Sequence, residues 1–243
     1  IGVSLYSDRG FYWKLTGREN LRYFAYLYHL DPREADKRIE YLLKLVGLEK
    51  DADRLVEEYS TGMKSKLNFA RALLHDPPIL FLDEPTIGLD PNSARKVREI
   101  ILELKRMGKT ILLTTHNMFE ADILCDRIAI INKGRIVAIG TSSELKSKVR
   151  ETNIVEIEAI GIRPEVVRVF EKLPLIKRVS HRIRDPISGV GEIRLVFENG
   201  VEDLSRVLET VERTELKVLA VRRAEPTLED VFIELTGEKF EES

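Results

Sequence analysis

The chain has 243 residues, enough for two ordinary domains with cores of their own. Lys and Arg number 39 against 41 Asp and Glu, a formal net charge of -2, which argues against nucleic acid as the main partner because such proteins carry a basic surplus. Cys125 stands alone, so no internal disulfide can form and a reducing compartment suits the chain; no apolar run reaches the ~20 residues that span a bilayer.

The opening "IGVSL" reads as part of a strand with no approach to it and no initiator methionine, the mark of a fragment whose natural start lies upstream. Thr16 with Glu19 three positions on forms a capping box that opens a helix bearing Leu21, Phe24, Ala25, Leu27 and Tyr28. Pro32 suits the first turn of a second helix, with Ile39, Leu42, Leu43 and Val46 at helical spacing and Gly47 as its stop. A third helix is expected from about Met63 to His75. Three helices ahead of the strands suggest a helical subdomain, residues 16–75, set into an α/β protein.

Strand and helix then alternate. "PILFLD" and "TILLTTH" are buried strands, and between them "NSARKVREIILELKRM" is a helix capped by Asn92 or Ser93. "MFEADILC" is a short helix, and "DRIAIINKGRIVAIG" a hairpin turning at Lys133-Gly134. This order implies a parallel sheet covered on both faces, with the hairpin finishing one side. From residue 149 the order changes to βαββαβ, the ferredoxin-like arrangement, with a last helix capped by Thr227 and stopped by Gly237. The expected domains are therefore 1–148 and 149–243.

Chemistry concentrates at the strand ends, where ligands of open α/β sheets gather. Asp83 and Glu84 close an apolar strand; one such carboxylate can bind Mg2+ and its neighbour can activate water. In isolation such a pair is more often loop polarity or a helix cap. His116, ending the next strand, could hydrogen-bond a phosphate oxygen or merely cap the following helix. Asp90, before Pro91, could be only a turn residue. In "YSTGMKSKL", Ser60 is an N-cap and Gly62 admits close backbone approach at a helix N-terminus, which is a ready anion site.

Taken as a set, "YSTGMKSKLNFARALLHDPPILFLDEPTIGLDP" with "TTH" beyond it resembles the ATP-binding subunit of an ABC transporter. Residues Tyr59 to Met63 match the signature loop usually written LSGGQ, "ILFLDE" matches Walker B, "GLD" the D-loop and His116 the switch histidine. The tail, ending "AEPTLEDVFIELTG", is similar to the accessory domain of ABC-2 type exporter ATPases. The resemblance implies a P-loop NTPase-like sheet, ATP with Mg2+ as cofactors, and two subunits that sandwich ATP head to tail. It implies roles as well: Asp83 on Mg2+, Glu84 on water, His116 on the γ-phosphate, and Asp90 at the dimer seam. Ser60, Thr61, Gly62 and Met63 would meet the partner's ATP. It also implies an ABC-2 type membrane permease as partner and a cytoplasmic location, peripheral at the inner face of the cell membrane. The aromatic helix Leu21 to Tyr28 could help receive the membrane subunit. No coiled-coil insertion appears, which makes the ABC ATPases of DNA repair a distant third reading.

Two departures stand out. A phosphate cradle needs G-x-x-x-x-G-K-[ST] between strand and helix. The one Gly-Lys-Thr, residues 108–110, follows a helix and enters a strand, with Glu103 where the first glycine belongs. It reads as a helix C-cap, so the Walker A loop is expected outside these residues and the chain alone should neither bind ATP tightly nor turn it over. Where the family has its Q-loop glutamine, Tyr6 or Ser7 stands here. Two readings stay open: an energising ATPase subunit, or a non-catalytic partner lending its signature helix to another ATPase.

Overall fold

The structure, a computed structural model, describes residues 1–5, 10–149, 154–197, 204–214 and 216–237, and the side chains of helix residues 204–206 are left aside. Tyr6 and Ser7 lie outside the described residues. The chain divides into two compact units, Ile1–Cys125 and Asp126–Ser243.

The first unit is built on three parallel strands in the order β1 (Gly2–Ser4), β2 (Ile79–Asp83) and β3 (Thr110–Thr114). Between β1 and β2 come α1 (Gly17–Leu27), α2 (Pro32–Val46) and α3 (Thr61–Leu73), which pack on one another as the expected helical subdomain. Each starts on a cap whose side chain accepts a first-turn N–H: Thr16 in a complete capping box, Asp31 ahead of Pro32, and Ser60. Gly47 ends α2 with φ +68°, a conformation that favours glycine.

Between β2 and β3 runs α4 (Pro91–Arg106), and α5 (Met118–Leu124) follows β3. The cap of α4 is Asp90, not the expected Asn92 or Ser93: its carboxylate accepts from both their N–H groups, and Pro91 takes the first helical position where a missing N–H does no harm. Leu80 and Leu82 of β2 join Leu67, Leu73, Val97, Ile101 and Leu104 in a single core. On the opposite sheet face Val3, Phe81 and Leu112 stand in register across the three strands and are exposed. The expectation of a sheet covered on both faces is therefore corrected: among the described residues one face is covered. The physical reason is that the apolar stripes of α3 and α4 both join the core that holds Leu80 and Leu82.

The second unit opens with the hairpin β4 (Ile128–Asn132) and β5 (Arg135–Gly140), which among the described residues forms a two-stranded sheet of its own, so the expectation that it finishes the parallel sheet is corrected. Lys133 and Gly134, both at positive φ, make its two-residue turn. Helix α6 (Ser142–Ser147) packs on β5 and on the last helix, so the compact unit begins earlier than the boundary expected at 148/149. The βαββαβ order is realised as β6 (Ile154–Ile160), α7 (Pro164–Glu171), β7 (Ile176–Asp185), β8 (Val190–Phe197), α8 (Leu204–Glu212) and β9 (Lys217–Ala224). Its antiparallel sheet has the order β7-β8-β6-β9, over a core of Ile157, Phe170, Ile193, Leu195, Phe197 and Val207. Helix α9 (Leu228–Thr236) closes the described chain, capped by Thr227 and stopped by Gly237.

Candidate functional site

Parallel pairing puts the carboxyl ends of β2 and β3 side by side, with Asp83 opposite Thr114. The Thr114 hydroxyl donates to the Asp83 carboxylate, and the Glu84 N–H donates to the Thr114 carbonyl at 3.0 Å. Glu84 then leaves the strand with φ +46°, an uncommon conformation for a residue with a Cβ and one that functional sites retain. The turn directs its carboxylate to the histidine beyond β3: His116 Nδ1 lies 2.9 Å from Glu84 Oε2. Three residues separated in sequence by up to 33 positions thus share one strand-end cluster.

Asp83 and Glu84 line a cavity of about 140 Å3 together with Ser4, Thr61, Lys64, Ser65 and Asn68. That volume falls well short of the roughly 300–1,000 Å3 typical of small-molecule pockets. It has room for phosphate-sized groups and water. Its floor is tied down by Asn68, whose side-chain amide donates to Ser4 Oγ at 3.2 Å and to the Leu5 carbonyl at 2.8 Å. Arg71, lying over the rings of Phe11 and Phe24, donates to Asn68 Oδ1 at 2.6 Å. Burial among these rings pulls its pKa below the usual arginine value.

Ser60 caps α3 by accepting from the Met63 N–H at 3.2 Å. Met63, at the third helical position, has no polar head to reach back to the cap and packs partly into the core. Tyr59, just before the cap, is buried and donates its hydroxyl to the Asp51 carbonyl at 2.7 Å; burial pushes its pKa up to about 12. A Cβ on Gly62 would stand 3.1 Å from Ser93 Oγ and 3.9 Å from Asp90 Oδ2, so the starts of α3 and α4 meet at a glycine. Asp90 is held ionised below the usual carboxylate range, chiefly by the Ser93 hydroxyl and then by backbone N–H groups.

The cavity therefore gathers Asp83, Glu84 and Thr61, with His116 touching Glu84; Asp90 and Gly62 meet beside it, and Ser60 and Met63 do not line it. Sequence reasoning passed over Thr114 and Asn68. The threonine pair ahead of His116 was a usable signal for the first, whereas Asn68 sits inside an ordinary helical pattern. The Gly108-Lys109-Thr110 triplet behaves as expected of a helix end. Gly108 has φ +82°, and Lys109 Nζ lies 2.7 Å from Asp76 Oδ1, far from any cradle geometry.

Comparison with known proteins gives the cluster a context. The family described as the ATP-binding protein DrrA1-3-like C-terminal domain matches residues 140–236, and an AAA domain family described for the AbiEii toxin of a type IV TA system matches residues 4–122. The chain is 41% identical over 242 residues to the fluoroquinolones export ATP-binding protein of Mycobacterium tuberculosis, covering 98% of this chain and 68% of that protein. It is 34% identical over 230 residues to the linearmycin resistance ATP-binding protein LnrL of Bacillus subtilis, covering 93% of this chain and 71% of that protein. Among solved structures, a dimeric post-hydrolysis state of an ATP-binding cassette bound to ADP and Pi is similar with a TM-score of 0.52 and 27% identity. That likeness covers 58% of this chain, which spans 62% of the solved one.

Proposed function

The chain belongs to the ATP-binding proteins of ABC-type exporters, and we propose that it powers export through a separate membrane subunit by helping to cleave the terminal phosphate of ATP. The observation that carries this reading is the 2.9 Å approach of His116 Nδ1 to Glu84 Oε2 at the tips of adjacent strands, with Asp83 beside them. Glu84 accepts the proton of the attacking water. His116, with Nδ1 turned to Glu84, has Nε2 left for a γ-phosphate oxygen. Asp83 is the carboxylate that would hold Mg2+, which when bound neutralises charge on the phosphate oxygens. Among the described residues no three His, Cys, Asp or Glu side chains converge on a metal position. Mg2+ fits a lone carboxylate, because it keeps several waters and draws other oxygens from phosphate.

The signature residues serve the opposing subunit. Ser60, Thr61, Gly62 and Met63 meet the partner's ATP with the N–H groups and positive end of α3, and Asp90 lines the seam. The dimeric state of the similar cassette supports this pairing. The likeness to export ATP-binding proteins supports attachment through an ABC-2 type permease at the inner, cytoplasmic face; no described helix is long and apolar enough to cross a bilayer. Of the tyrosines in the aromatic stretch Leu21 to Tyr28 that could help receive that permease, Tyr26 is the most exposed. Tyr23 is engaged with Tyr12 through a 2.9 Å hydroxyl contact, and the Tyr28 ring lies on His75.

No G-x-x-x-x-G-K-[ST] phosphate cradle occurs in these 243 residues. Equilibrium dialysis of the chain with Mg-ATP is expected to show no micromolar affinity. In the assembled exporter, an ATP analogue photoreactive at its γ-phosphate should label Thr61 to Met63. Tight binding by the chain alone would refute the division of labour, and labelling elsewhere would refute the trans contact. An assembled exporter whose own composite site lacks a phosphate cradle would leave this chain as a non-catalytic partner.

A further inference from the structure

A fully buried carboxylate lies just behind the cluster, and neither the motifs nor the proposed chemistry assigns it work. Glu120 stands at the third position of α5 with an exposure of 0%. Asn117 caps that helix by accepting the Glu120 N–H at 3.1 Å, which is half of a capping box. The other half is missing, because the Asn117 N–H donates to Thr115 Oγ1 at 3.0 Å and the Glu120 carboxylate turns inward. There Oε1 accepts from the Thr86 hydroxyl at 2.7 Å and from Arg98 at 2.9 Å, while the Thr115 hydroxyl lies 3.4 Å from Oε2.

These partners sit on the segments that carry the cluster. Thr86 is two residues beyond Glu84 and joins two consecutive turns, in which Ile87 N–H donates to the Glu84 carbonyl and Leu89 N–H to that of Thr86. Thr115 immediately precedes His116. Arg98 belongs to α4, the helix that Asp90 caps. A carboxylate enclosed in this way is unfavourable unless it is paired and hydrogen-bonded, so a displaced partner would leave a buried charge exposed to no water. The three segments are thereby fixed to one another through a single side chain.

We infer that Glu120 is a positioning residue: by bridging Thr86 and Thr115 it holds Glu84 and His116 in contact, and by gripping Arg98 it ties that pair to the helix bearing Asp90. The inference rests on the proposed roles of Glu84 and His116 for its catalytic consequence, but its geometric content stands without them. Loss of the bridge lets the two loops separate, and misplacement of about 1 Å at a reacting centre can lower a rate on the order of 100-fold.

The test reads geometry and turnover separately. The chain has four histidines, so the ring nitrogens of His116 can be followed by side-chain 15N NMR against His29, His75 and His181. At fixed neutral pH, Glu120→Ala, and independently Thr86→Val, should shift the His116 ring signals to those seen in Glu84→Gln while the other three histidines stay in place. In the assembled exporter both variants should lower kcat for Mg-ATP by roughly 10- to 100-fold with little change in KM. If Glu120→Ala fails to fold, Thr86→Val decides alone, because it removes one hydroxyl and leaves the Arg98 pair intact. His116 signals unmoved in a folded variant overturn the inference, as does a KM change with kcat preserved. Normal hydrolysis by Glu84→Gln would instead sink the catalytic reading, while the NMR result still judges the bridge.

Discussion

Acidic residues are used in opposite ways on the sheet of the second unit and at the strand ends of the first. Glu156, Glu158 and Glu192 on the sheet of the second unit each meet an arginine of another strand. Arg184 bridges Glu158 and Glu192 at 3.2 and 3.1 Å, Arg222 pairs with Glu156, and Asp230 is enclosed by Arg178 and Arg194 with Thr227. In the first unit Asp83 and Glu84 line an open cavity, and their nearest partners are a threonine hydroxyl and a histidine. Charge matched within the fold serves structure, whereas charge presented to a cavity with weak internal partners is available to a ligand. The helix starts differ in the same sense: Thr227 and Asp230 form a reciprocal box on α9, while Ser60 on α3 has no return from Met63.

That contrast breaks if removing charge has the same consequence in both units. Glu84→Gln should lower hydrolysis by the assembled exporter on the order of 1,000-fold, the upper part of the range for a general base. Its urea midpoint should match that of the unaltered protein, because no buried partner is orphaned. A stability loss as large as the activity loss would place Glu84 among the structural acids. Asp230→Ala should do the reverse. Breaking a buried ion pair by removing one partner costs about 3 kcal/mol, here with two arginines left uncompensated. Urea unfolding should reveal the second unit melting early while the His116 NMR signals keep their positions.

Much of this was legible in the sequence, and the failures have physical causes. Local signals transferred well: Thr16 with Glu19, Pro32, Gly47, Lys133-Gly134 and Thr227 each acted through contacts within a few residues, and the structure places each as the pattern predicts. Strand order in the ferredoxin-like unit followed from the order of elements, since short connections leave few topologies. Two kinds of expectation went astray. The cap of α4 was assigned to Asn92 or Ser93 because good capping residues were abundant there; Pro91 at the first helical position decides for Asp90. Coverage of both sheet faces does not follow from the sequence because a continuous apolar run says that a strand is apolar on both sides, not what lies against each side. The pairing of Glu84 with His116 could be suspected from strand-end placement, but Glu120 could not. In sequence it stands three residues after a cap, where a capping box would have its glutamate, and only its inward turn reveals another use.

The smallest effect concerns one motif that occurs in both units. Asp90 and Asp185 each accept from a serine three residues on and from local N–H groups, and both have pKa values below the usual 3.8. In each case the serine hydroxyl, Ser93 or Ser188, is the largest cause, so the ionised form is favoured in the folded state. A depressed carboxylate contributes stability that is full above the unfolded value near 3.8 and is lost as pH falls through the lower folded value. Neither cap should therefore weaken until the solution is more acidic than that. Carboxyl 13C titration should give both midpoints below 3.8, with Ser93→Ala raising Asp90 alone and Ser188→Ala raising Asp185 alone. The consequence differs by unit. Protonating Asp185 loosens only the turn between β7 and β8, where its carboxylate also accepts the Ile187 N–H. Protonating Asp90 frays the start of α4 where it meets Gly62, so the Gly62 amide signal should move with the Asp90 titration and ignore that of Asp185. A Gly62 amide that fails to follow Asp90 would mean that the two helix starts are not coupled, and the seam assigned to Asp90 would lose its structural support.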